Sequence, residues 1–142
     1  MKRTLGLAAA LALAACHAKA PAPAEPPVRD PAGAVMDISQ PLTARGTEPF
    51  WNLTINGSQF RLTRPDHPDL AIEAGGAVIQ SGRATWVAKG AGGEQVTVVL
   101  YASDCSDGMS DTKYPYAAEV VMLNESLRGC AGKTASLPKP AG

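Results

Sequence analysis

The stretch from Trp51 to Thr63 constrains the fold more than any other. Trp51, Leu53 and Ile55 alternate with Asn52 and Thr54; beyond Asn56-Gly57, Phe60 and Leu62 alternate with Gln59, Arg61 and Thr63. A period of two sends successive side chains to opposite faces of a strand, and Asn-Gly accepts the positive φ angles that a two-residue hairpin loop requires. With Asn56-Gly57 as the loop, Leu53 falls opposite Phe60 and Trp51 opposite Leu62, so every large apolar side chain shares one face.

The rest of the chain repeats this style. Ala77–Gln80 and Arg83–Lys89 read as strands around a tight turn at Ser81-Gly82, and Glu94–Ala102 is rich in β-branched residues. Tyr116–Leu123 and Ser126–Ala131 form a further pair about Asn124-Glu125. Gly-rich or Pro-rich connections separate them (Pro65-Asp66-His67-Pro68, Gly75-Gly76 and Gly90-Ala91-Gly92-Gly93). Short strands at near-regular spacing predict an all-β fold, a small antiparallel barrel or sandwich of about seven or eight strands.

The N-terminal end has a different character. Lys2 and Arg3 precede an apolar run from Thr4 to Ala15, too short for the roughly 20 residues that span a bilayer. Leu13-Ala14-Ala15-Cys16 resembles the lipobox of bacterial lipoproteins. That resemblance implies a signal peptide over residues 1–15, lipidation of Cys16 (palmitate among the acyl chains), and anchoring to a membrane. His17 stands where an aspartate would mark inner-membrane retention, which favours the outer membrane, facing the periplasm. Residues 16–34 are mostly Ala and Pro, a semi-rigid linker reaching about 50 Å at roughly 3.1 Å per residue. The β domain is expected over 35–131, followed by a disordered tail over 132–142.

Losing Lys2 and Arg3 turns the even balance of 13 basic and 13 acidic residues into a slight acidic excess. A chain without a basic field has little with which to bind phosphates, so nucleic acid is not an expected partner. Once Cys16 is acylated, Cys105 and Cys130 remain in an oxidising compartment, where a disulfide is expected; a metal pair or a reactive thiol is the alternative.

Few residues point to catalysis. His17 lies in the linker and His67 in a loop, and nothing marks an activated serine beside either. Asp104, Asp107 and Asp111 form a dense acidic stretch whose spacing does not match an EF-hand loop. It is read as a turn in which Asp and Ser satisfy backbone N–H groups beside the disulfide. No metal and no cofactor is expected. Met109, Tyr114, Pro115 and Tyr116 read as an apolar ridge that caps one end of the barrel or joins a recognition surface.

Two segments resemble a family of bacterial envelope lipoproteins of uncharacterised function: Gly46-x-Glu48-Pro49-Phe50-Trp51, and Cys105-x-Asp107-Gly108-Met109-Ser110-Asp111 with a later Gly129-Cys130. The resemblance implies a shared β fold and supports the Cys105–Cys130 bridge. A weaker one is to calycin-type barrels, in which a first-strand tryptophan meets a last-strand arginine; Trp51 and Arg128 would take those parts through a cation–π contact.

These readings converge on a lipid-anchored, non-enzymatic binding module of the cell envelope, whose partner is an envelope protein or a small ligand. Its candidate binding surface comprises Glu48, Pro49, Phe50 and Trp51 with Asp107, Met109, Ser110, Asp111, Tyr114 and Tyr116. The alternatives are a periplasmic lysozyme inhibitor with Ser106, Ser110 or Lys113 at the tip of its loop, a cell-wall glycan hydrolase built on paired carboxylates, and a structural or assembly lipoprotein.

Overall fold

The computed structural model describes residues 36–138, so Cys16, the signal segment and the Ala/Pro linker lie outside the described residues. The chain forms nine strands: β1 (Leu42–Thr47), β2 (Phe50–Asn56), β3 (Gln59–Thr63), β4 (Leu70–Ala74), β5 (Val78–Gln80), β6 (Arg83–Gly90), β7 (Gln95–Ser106), β8 (Lys113–Met122) and β9 (Glu125–Lys133). They pair antiparallel in the order β4-β3-β2-β1-β9-β8-β7-β6-β5, and β4 pairs back onto β6. Eight strands thereby close into a barrel, with β5 as an extra strand. The expected all-β barrel is what the sequence forms.

One strand serves two partners on the same side. Arg83–Thr85 of β6 pair with β5, whereas Ala88–Gly90 pair with Ile72–Ala74 of β4. Gly75-Gly76 lies in the link between β4 and β5, where the chain leaves one pairing for the other.

Turn chemistry sets the registers. The β2–β3 loop is Gly57-Ser58, one residue later than the sequence implies, with Gly57 at φ 59° and Asn56 opposite Gln59. A glycine with positive φ in the first loop position is the type II′ pattern. Leu53 therefore faces Leu62, and Ile55 faces Phe60, in place of the expected Leu53–Phe60 and Trp51–Leu62 pairs. The slip is two residues, an even number, so the apolar face survives it. Ser81 and Gly82 both have positive φ, as a type I′ turn requires. The β8–β9 loop is Leu123-Asn124, with Met122 opposite Glu125, again one residue from the expected position. Strands β1 and β4 carry weaker sequence signals, being short and interrupted by Gly46 and Glu73.

Inward-pointing residues fill the barrel. Leu42, Leu53, Leu62, Leu100 and Leu127 are fully buried with Val96, Val98 and Val120, and Phe60 meets Trp86 edge-to-face at 5.6 Å. Burying each such side chain contributes about 1.5–3 kcal/mol. Met36 is buried in the same cluster. It belongs to the end of the barrel that holds Gly57 and the start of β1, so the described chain arrives at that end.

The β7–β8 pairing shifts between Ala102 and Cys105, toward the strand ends that share the side of the β1 start. Such an irregularity bends a ribbon. Cys105 here reaches β9 and forms the expected disulfide with Cys130, at a Cα separation of 5.5 Å.

The C-terminal boundary needs correction. Composition places a disordered tail from residue 132, yet β9 runs to Lys133 and a short 3-10 turn follows at Thr134–Ser136. Thr134 and Thr43 share a hydroxyl–hydroxyl hydrogen bond of 2.8 Å, and Arg45 donates to the Pro138 carbonyl at 3.1 Å. The chain thus doubles back along β1. Cross-strand bonding orders a segment whose own sequence has no periodicity; residues 139–142 lie outside the described ones.

Candidate functional site

The ends of β1, β2 and β3 farthest from Met36 meet the 107–112 loop, and between them lies a groove of about 680 Å³. Its lining is largely apolar and includes Phe50, Trp51, Pro65, Tyr114 and Pro138, with Arg45, Asn52, Thr63 and Arg64 as its polar members on the barrel side. Arg45 opposes Asn52 across β1–β2, and Asn52 opposes Thr63 across β2–β3, so these three form one row along the sheet. Phe50 leads into the groove with 56 % of its surface exposed, while Trp51 is buried.

The placement of Trp51 explains the Gly46-x4-Trp51 spacing. β1 and β2 are joined by the two-residue loop Glu48-Pro49, whose peptide is cis, and Thr47 faces Phe50 with Gly46 the direct partner of Trp51. The indole lies over Gly46, and its Nε1 donates to the Arg128 carbonyl at 3.2 Å. A Cβ on Gly46 would stand 1.9 Å from that nitrogen. The expected cation–π contact is therefore corrected: Arg128 meets Trp51 through its backbone oxygen, and its guanidinium pairs with Glu119 at 3.4 Å. Gly129 permits the close approach of β9 to β1, since a Cβ there would fall 1.9 Å from the Arg45 carbonyl.

The far wall is organised by Asp107. One carboxylate oxygen accepts from the amides of Met109 (3.0 Å) and Ser110 (2.8 Å); the other accepts from the hydroxyls of Ser110 (2.8 Å) and Tyr114 (3.0 Å). These donors, the Ser110 amide foremost, hold its carboxyl at a pKa of about 2. Burial raises the pKa of the Tyr114 phenol, the hydrogen bond to Asp107 adds to that, and Arg45 opposes both. Asp107 is a loop-builder, as the reading of the acidic stretch as a turn expects. Gly108 at φ 71° completes the turn.

Charge in the groove is unevenly satisfied. Arg64, its side chain only 15 % exposed, pairs with Glu125 at 2.5 Å and ties the end of β3 to the β8–β9 hairpin. Asp107 is fully engaged by its own loop. Arg45 donates to a carbonyl and pairs with no carboxylate among the described residues.

Of the residues singled out from sequence, Phe50, Trp51, Asp107, Ser110 and Tyr114 line this groove. Glu48 and Met109, the latter 70 % exposed, border a neighbouring depression beside the disulfide, and Pro49 lies with Phe50 and His67 along a third. Asp111 is exposed and lines neither the groove nor these depressions. Tyr116 is corrected outright: it is buried in the core opposite Ala131. Tyr114 and Tyr116 share a strand parity, and only the position of the strand end decides which one reaches the groove. Among the described residues no three His, Cys, Asp or Glu side chains come together as a metal site. Sequence reading missed Arg45, Thr63, Arg64 and Pro138; Arg45 stood directly before the Gly46 motif, whereas nothing local marks the other three.

Compared with protein-family models, with curated proteins and with solved structures, the chain matches none.

Proposed function

We propose that this protein is a lipid-anchored binding module of the bacterial envelope and that the groove between Phe50 and Tyr114 is its binding site. The observation that carries the reading is the groove itself: about 680 Å³, within the roughly 300–1,000 Å³ range of small-molecule sites, apolar with a few converging polar groups. What the groove offers is recognition: aromatic surface, hydroxyls and a guanidinium, with its one carboxylate already committed to its own loop.

Two measurements test this. Labelled palmitate should enter the wild-type chain in a bacterial host and not the Cys16→Ser variant. The full chain carrying Cys16→Ser should enhance the fluorescence of N-phenyl-1-naphthylamine, a neutral apolar probe, and Phe50→Ser should weaken that binding several-fold. Probe binding that is absent, or indifferent to Phe50→Ser, removes the groove as the site.

A further inference from the structure

Resting on the reading of the groove as a binding site, we infer that its ligand is an amphipathic anion: an apolar body with a carboxylate or phosphate head that Arg45 receives. Three ionic side chains line the groove, and two of them are spent within the protein. Arg64 is held by Glu125 at 2.5 Å, and Asp107 accepts four hydrogen bonds from Met109, Ser110 and Tyr114. Arg45 has no carboxylate partner among the described residues, and its side chain donates to the neutral carbonyl of Pro138.

Position adds to this. Arg45 is half-buried at one end of the Arg45–Asn52–Thr63 row, with its cross-strand neighbour Asn52 beside it in the lining. A guanidinium with the Asn52 carboxamide alongside offers N–H donors suited to a planar carboxylate or to phosphate oxygens. Phe50, Trp51, Pro65, Tyr114 and Pro138 form the apolar remainder around it. A charged group in partly desolvated surroundings gains more from an opposite charge than one in open water does. The groove therefore discriminates by head group, while exposed Phe50 and the prolines beside it accept the body.

The experiment displaces N-phenyl-1-naphthylamine from the full chain carrying Cys16→Ser with dodecanoate, dodecyl phosphate and dodecanol, which share one apolar chain. Either anion should compete at least tenfold better than the alcohol, and the better of the two names the head group. Arg45→Gln should bring anion and alcohol to within about twofold with probe binding retained, whereas Arg45→Lys should keep most of the preference. Arg83→Gln, which removes an exposed charge on β6 across the barrel, should leave the preference intact. An alcohol that competes as well as the anions overturns the inference and spares the groove. A preference that survives Arg45→Gln but vanishes in Arg64→Gln overturns it too. Failure of the neutral probe to bind at all sinks the binding-site reading beneath it.

Discussion

Replacing Gly46 by alanine should destabilise this barrel, although secondary-structure propensity says the opposite. Glycine inside a strand is less favourable than alanine by roughly 0.5–1 kcal/mol, so on backbone entropy alone the variant gains stability. The structure reverses the sign. The added methyl would stand 1.9 Å from Trp51 Nε1 and 2.6 Å from the Arg128 carbonyl oxygen. Neither atom can yield cheaply, because one belongs to a buried indole and the other to a strand backbone. Displacing the indole breaks its hydrogen bond to Arg128 and strains the packing around it, together about 2–4 kcal/mol. That is a large share of the 5–15 kcal/mol that ordinarily separates folded from unfolded domains. Guanidinium unfolding followed by far-ultraviolet circular dichroism measures the loss. The mechanism is isolated by a cycle with Trp51→Phe, which removes the clashing nitrogen and leaves the carbonyl contact. The penalty of Gly46→Ala should shrink by at least about 1 kcal/mol in that background, as expected for residues in direct contact. A neutral or stabilising Gly46→Ala, or an equal penalty in both backgrounds, refutes the reasoning.

Three further outcomes are expected. Asp107 has a folded-state pKa of about 2 against an ordinary 3.8, so the order it lends the 107–112 loop is complete above about pH 4 and lost as pH falls through 2. The Met109 and Ser110 amide resonances should follow that titration, and Asp107→Asn should abolish it. Replacing Cys105 and Cys130 together by alanine releases a link between residues 25 apart and should cost about 3–4 kcal/mol on the chain-entropy model, read as a lower denaturant midpoint. Phe50→Ser, at a side chain 56 % exposed, should shift stability by no more than about 0.5 kcal/mol while weakening probe binding, which separates a groove role from a packing role.

The sheet faces were legible because alternation is a local property: Trp51, Leu53, Ile55, Phe60 and Leu62 all point inward as their spacing implies. The register was harder. Asn56-Gly57 is a strong hairpin signal, but either of two loop placements satisfies it, and Gly57 takes the first loop position. The aromatic and disulfide parts of the site also showed in the sequence, since Phe50, Trp51, Asp107, Ser110 and Tyr114 sit in two compact segments that the barrel brings together. Its charges did not. Whether an arginine is spent or available depends on a partner chosen by topology; Arg64 finds Glu125 across 61 residues, and Arg45 faces a carbonyl 93 residues on. Nor could spacing tell Tyr114 from Tyr116, which alternate identically along β8.

The divided allegiance of β6 has a mechanical meaning. A closed sheet is a hoop, and a hoop yields at its narrowest weld. Along β7 and β8 neighbouring strands are zipped over long runs, whereas the joint that completes the circle consists of Ile72–Gly90, Glu73–Lys89 and Ala74–Ala88 with one further hydrogen bond from the Ala91 amide to the Ala71 carbonyl. Beyond it β6 turns to β5, whose Val78 and Ile79 are exposed and whose other edge is unpaired. Transient opening should begin at this seam and spread toward β5. Trp51, Cys130 and the groove stand across the barrel, on the wall of β1, β2 and β9 that the Cys105–Cys130 disulfide and the Trp51–Arg128 hydrogen bond brace. The protein can flex at its seam while keeping its recognition surface still.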